Sequence, residues 1–256
     1  MNIWTYDGTF EGFLTLVFDC YDLKIFPEVI IGKNPEQMQI FNSDYEVVSD
    51  RAKAKRVWKG LHKKISGVSC EMLFRVFLSE QTDIEQVLLN YIKRAFASPS
   101  NTESDFRDEF VLKIYKVNKM VGREAERILM FVRFQKTVDD IYYASFDPKY
   151  NVLPLTISHF ENRFTDQKWV IYDTRRNYGF YYDMKETQEI TFSESAVNPV
   201  SGKIDEHIMA EDEKLFQTLW KTYFDATCIR ERLNPRLHMQ FLPKRFWKYL
   251  PEKQTG

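Results

Sequence analysis

The apolar positions change period a little past the middle of the chain. From Phe10 they fall at Phe10, Phe13, Leu14, Val17, Phe18 and Tyr21, the spacing of one helical face. Ahead of them residues 2–6, NIWTY, read as a short strand, and Asp7-Gly8-Thr9 carries turn and N-cap chemistry. After Pro27 the pattern is irregular, with a strand expected at 45–48. A helix is predicted over 51–65, capped by Ser49 or Asp50, with Ala54, Val57, Trp58, Leu61 and Ile65 as its apolar stripe. Further helices are predicted at 69–79, 83–97, 104–118 and 121–136, with Ser98-Pro99-Ser100-Asn101 as a loop.

Beyond 136 the alternation shortens. Strands are predicted at 141–147, 169–173, 179–184 and 189–194, with a short helix over 153–163 entered through Pro154 and a turn at 175–179. An acidic stretch over 183–213 contains loop chemistry at Asn198-Pro199 and Ser201-Gly202. A last helix, 211–230, gathers Leu215, Phe216, Leu219, Trp220, Tyr223 and Phe224 on one face and leads into NPRLHMQFLPKRFWKYLPE, 234–252. So many aromatics and prolines near a chain end predict a docked tail, with Trp247 and Tyr249 closing the core.

A run of strands after a run of helices gives an α+β class: a helix-rich N-terminal half, an antiparallel or mixed sheet near 141–195, a long C-terminal helix and the docked tail. One domain over 1–256 is expected, helical at about 50–136 and sheet-containing at about 137–256.

Composition narrows the classes. With 256 residues, 44% of them apolar, the chain can bury a substantial core. A formal net charge of -1 excludes a globally basic nucleic-acid binder and leaves a local basic face open. Cys20, Cys70 and Cys228 are odd in number and far apart, which offers neither a disulfide framework nor a Cys-x-x-Cys metal site and predicts a reducing, cytoplasmic setting. No stretch has the roughly 18 apolar residues of a membrane span. Gly-x-Gly-x-x-Gly, Gly-x4-Gly-Lys-Ser/Thr, His-Glu-x-x-His, Gly-x-Ser-x-Gly and the base-deaminase His-x-Glu with Pro-Cys-x-x-Cys are all missing, and the four histidines are scattered, so no cofactor and no metal is expected.

The chemistry that remains is cationic and aromatic. The helix 51–65 carries Arg51, Lys53, Lys55, Arg56, Lys59, Lys63 and Lys64 with no acidic residue, a charge distribution that an anionic partner would offset. In the tail Lys244, Arg245 and Lys248 alternate with Phe246, Trp247 and Tyr249, and Arg236 lies just upstream. Cations that neutralise phosphates beside rings that stack bases suit a single-stranded or damaged-DNA surface. The nucleic-acid candidates are therefore Lys53, Lys55, Arg56, Lys59, Lys63, Arg236, Lys244, Arg245 and Lys248. Two acid/base pairs are candidates for catalysis: Asp7 with Glu11, also readable as turn, cap and helix-dipole residues, and His159 with Asp173. His159 and Asp173 belong to a set with Arg163, Trp169, Arg175 and Tyr178 that reads either as a polar pocket or as an ion-paired corner.

Taken in order, YDGTFEGFLTLVF, RVWKGL, EAERILMFVRFQK, HFENRF with the following Trp169 and Asp173, and NPRLHMQFLPKRFWKYLPE resemble the DNA metabolism or repair family built around domain of unknown function 4130. The resemblance implies a bacterial protein associated with a radical SAM partner in DNA modification or repair, the same domain being fused elsewhere to a uracil-DNA glycosylase. Tyr6, Asp7, Gly8, Glu11, Gly12, Arg133, His159, Arg163, Phe164, Trp169, Met239, Pro243, Lys244, Trp247 and Pro251 are its family-like positions, with no chemistry assigned to any. The chain has no Cys-x3-Cys-x2-Cys for an iron–sulfur cluster and no attached glycosylase, as expected of a stand-alone accessory protein. Three functions follow: a nucleic-acid-binding accessory protein, a nucleic-acid-processing enzyme using one of the acid/base pairs, and an interaction scaffold that does not bind DNA itself.

Overall fold

Strand β1 (Ile3–Tyr6) occupies the centre of a three-stranded parallel sheet, flanked by β2 (Val29–Gly32) and β3 (Tyr45–Glu46), with Ile3 opposite Val29 and Trp4 opposite both Ile30 and Tyr45. The computed structural model describes residues 2–32, 43–98, 103–192, 208–229, 232 and 234–253. The chain divides into two compact units, Met1–Gly122 and Arg123–Gly256.

In the first unit, α1 (Phe10–Asp22) starts where Thr9 accepts a hydrogen bond from Gly12 N, and Asp7 folds the preceding turn by accepting from Thr9 N at 2.9 Å. The second oxygen of Asp7 accepts from Ser49 Oγ at 2.5 Å. Gly12 permits that close approach, because a Cβ there would collide with Asp7 Oδ1 and Ser49 Oγ. Helix α2 (Arg51–Lys64) is capped by Asp50, whose carboxylate accepts from Ala52 N and Lys53 N. Helices α3 (Gly67–Phe77) and α4 (Ile84–Ala97) complete the layer, and Phe13, Leu16, Leu61, Leu73, Ile84, Leu88 and Ile92 form its core with Trp4.

Helix α5 (Glu109–Phe131) replaces the two helices predicted at 104–118 and 121–136. Asp108 caps its start by accepting from Phe110 N and Val111 N, and no breaker stands at Lys119-Met120. Buried Val111, Ile114, Val117, Val121 and Ile128 carry one apolar stripe through the predicted break. The residues after it, 135–136, are strand and not helix.

In the second unit β4 (Gln135–Lys136), β5 (Ile141–Phe146), β6 (Lys168–Asp173), β7 (Tyr178–Tyr182) and β8 (Thr187–Ile190) form a sheet in that order. Only β5 and β6 pair in parallel, so the sheet is mixed. Between them run a 3-10 turn (Leu153–Leu155) and α6 (Ile157–Arg163), whose Phe160 packs edge-on against Trp169 of β6. Helix α7 (Glu213–Thr227) and helix α8 (Pro235–Phe241) follow, then 3-10 turns Lys244–Tyr249 and Pro251–Lys253. Leu242, Phe246, Tyr249 and Leu250 are buried, and half-buried Trp247 donates its indole N–H to Leu242 O at 3.1 Å. The class is α+β. The predicted loop at 198–202, the end of the strand predicted at 189–194 and the last residue of the helix predicted at 211–230 lie outside the described residues.

Candidate nucleic-acid interface

Helices α1, α2 and α3 converge on an open groove of about 460 Å³. Phe10 and Leu14 come from α1, Ala54 and Trp58 from α2, and Phe74 from α3. Phe10 is the hub of its floor, with the Trp58 ring edge-on at 5.7 Å and the Phe74 ring at 5.1 Å. The Trp58 ring also meets the His62 ring edge-on at 4.9 Å, and His62 Nδ1 lies 3.0 Å from Trp58 O. Arg51 and Lys55 stand on the rim, as do Glu11 and Glu71, and all four are exposed. Such a floor offers stacking surface, and such a rim offers both cations and hydrogen-bond acceptors.

The cations of α2 divide into two kinds. Lys53 is committed internally: its ammonium lies 2.7 Å from buried Asp19, which also accepts from Tyr45 Oη at 3.2 Å. Arg56 lies over the Phe18 ring at 4.9 Å with its guanidinium still exposed. Arg51, Lys55, Lys59 and Lys63 are exposed, and among the described residues none of them is in an ion pair.

The tail cations, in the second unit, divide the same way. Arg236 and Lys244 are exposed. Arg245 instead holds buried Glu124, with its Nη2 at 2.7 and 2.5 Å from the two carboxylate oxygens, and covers the Phe246 ring at 4.8 Å. Lys248 lies over the Tyr249 ring at 4.8 Å and 4.0 Å from Asp147. On the same unit Leu215, Phe216, Leu219 and Tyr223 of α7 are exposed, whereas Trp220 of that helix is tied by its indole N–H to Glu252 at 2.9 Å.

The acid/base candidates are placed as follows. Asp7 closes the β1–α1 turn, and Glu11, four residues on, faces the groove. Asp173 is fully buried at the end of β6, accepting from Arg175 N, Arg176 N and Arg176 Nη1 at 2.9, 3.1 and 2.8 Å. Burial pushes its carboxyl up from the ordinary value, against the pull of the Arg176 charge and hydrogen bonds. The corner is ion-paired, and the cation in it is Arg176, where the sequence pointed to Arg175. His159 is exposed on α6, and among the described residues no hydrogen bond joins it to Asp173. Burial pushes the Cys20 thiol up to about 12 and the Cys70 thiol to about 11, so neither is a ready nucleophile near neutral pH. Among the described residues no three His, Cys, Asp or Glu side chains gather as a metal would require, and no helix is long and apolar enough to cross a membrane.

Sequence periodicity assigned Phe10 and Trp58 to apolar stripes and left Phe74 and Glu71 unremarked. The groove exists because three helices leave their aromatic edges half-covered at one point, which no single helix pattern displays.

A family model for domain of unknown function 4130 matches residues 82–252, well over half of the chain. The chain belongs to the DUF4130 family. The matched region of this DUF4130 protein starts within the first unit, after α3, so the groove and the basic helix precede it. No curated protein matches the chain. Among solved structures, the pGpG-specific phosphodiesterase PggH from Vibrio cholerae aligns over 89% of this chain and 99% of its own at 10% identity, with a TM-score of 0.33. A likeness at that level carries no argument about fold or activity.

Proposed function

We propose that this DUF4130 protein is an accessory factor of DNA repair or modification that binds a single nucleic-acid strand along α2 and presents it to a catalytic partner. The family resemblance supplies a radical SAM protein as that partner. One observation carries the binding: Arg51, Lys55, Lys59 and Lys63 emerge from one acid-free helix, exposed and without an ion pair among the described residues, beside an aromatic-floored groove. Phosphates offset the repulsion among these cations, and release of their counterions drives association. An enzymatic reading has less support, because Asp7 and Asp173 are both occupied in holding turns together.

Binding of a labelled single strand, measured against salt concentration, tests the proposal. Replacing Arg51, Lys55, Lys59 and Lys63 together by Ala should weaken binding at low salt and flatten the log–log salt dependence by about 3, near 0.7 per phosphate contact on single strands. No affinity at low salt, or an unchanged slope in the variant, would sink it.

A further inference from the structure

The groove sits at the side of the proposed strand path, and its chemistry is more specific than that path requires. Its floor is aromatic, with Trp58 and Phe74 each edge-on to Phe10, and its rim carries two cations and two carboxylates. A volume of about 460 Å³ falls within the roughly 300–1,000 Å³ of sites that enclose small ligands. An apolar peptide side chain would satisfy the floor alone and leave the four charged residues of the rim unused. A nucleotide satisfies all three features: its base meets the rings, its phosphate meets Arg51 and Lys55, and its base edge meets Glu11 and Glu71.

We propose that the groove seats one unstacked base of the bound strand, and that this base carries an exocyclic amine. The inference rests on the strand-binding reading given above and deepens it. Glu11 and Glu71 are acceptors when ionised, so they pair with the amino groups of cytosine, adenine or guanine. Thymine and uracil replace the amine of cytosine by the carbonyl O4, which faces a carboxylate unfavourably and leaves N3–H as their one donor on that edge. Arg51 and Lys55, one turn apart on α2, fix the phosphate of the same nucleotide. Trp58 presents the largest ring of the floor and is in edge-on contact with His62.

The test compares three strands of equal length at low salt: oligo-dC, oligo-dT and an abasic sugar-phosphate strand. Oligo-dC should bind at least about tenfold more tightly than the abasic strand, given what stacking of a base on an aromatic ring contributes, and more tightly than oligo-dT by the hydrogen bonds that its amine gives to Glu11 and Glu71. Trp58→Leu should remove most of that advantage. Glu71→Gln, a change at an exposed position that leaves folding intact, should narrow the gap between oligo-dC and oligo-dT, whereas the gain from removing a negative charge is shared by all three strands. Equal binding of all three strands overturns base seating and leaves strand binding standing. Preference for both base-bearing strands over the abasic one, without discrimination between them, overturns the amine selectivity. No binding of any strand removes the strand-binding reading and this inference with it.

Discussion

Arg245 and Lys244 are neighbours in sequence with opposite assignments. Glu124 lies on the buried stripe of α5, and its charge is met by Arg245, by Arg127 at 3.2 Å and by Lys149 N at 2.8 Å. Removing Arg245 leaves a buried carboxylate with part of its hydrogen bonding lost, which costs about 1–3 kcal/mol. Lys244 is exposed and its truncation should stay within about 0.5 kcal/mol. Chemical denaturation of Arg245→Ala and Lys244→Ala checks both, and equal midpoints for the two variants would contradict the assignment. Composition alone shows a Lys-Arg pair; a partner 121 residues away decides which member is structural. The same holds for Lys53, whose partner Asp19 sits on another helix, and for Asp173, whose cation proved to be Arg176.

At the level of elements, those with strong periodicity and clear caps were legible. α1 with Thr9, α2 with Asp50, the strands of 141–182 and the buried rings of the tail all follow from spacing and side-chain chemistry. What was not legible had a physical cause in each case. β2 is four residues long and takes its place by pairing with β1, which a short apolar run does not announce. Helix α5 is predicted as two helices parted at Lys119-Met120, two residues ahead of Gly122, although its stripe continues on either side. That glycine sits in a helix interior with no heavy atom within 4 Å of where a Cβ would stand. Gly122→Ala should therefore stabilise the protein by about 0.5–1 kcal/mol, since glycine loses the most backbone freedom on becoming helical. A melting temperature that falls would show that the helix needs its glycine for a reason other than space.

For the whole molecule, acid stability offers a check on the first unit. Tyr6 Oη donates to Glu85 at 3.1 Å, joining β1 to α4. Burial holds the Glu85 carboxyl above its ordinary value, against the opposing pull of a backbone hydrogen bond and of Tyr6. Such a carboxyl keeps its proton more tightly when folded, so its contribution is most favourable at acid pH. It then declines as pH rises from the ordinary carboxylate value through the raised one. Glu85→Gln abolishes that decline. The melting temperature of the variant relative to the native protein should rise as pH is raised from the ordinary carboxylate value. A constant difference would place the titration elsewhere. The candidate site was half legible at this scale: the cations of α2 can be counted in the sequence, but the groove beside them requires three helices to meet. Both lie ahead of the region that the family match covers.

The central place of β1 also sets an order of events. Residues 3–6 are synthesised before both of their neighbours in the sheet, 29–32 and 45–46. Both pairings are parallel, so each closes a loop of tens of residues before any hydrogen bond forms in return. Helices α1 and α2 form from local contacts on a faster timescale. Strand β1 is thus completed late, and the slow step in assembling the first unit is its capture between two segments that are made after it.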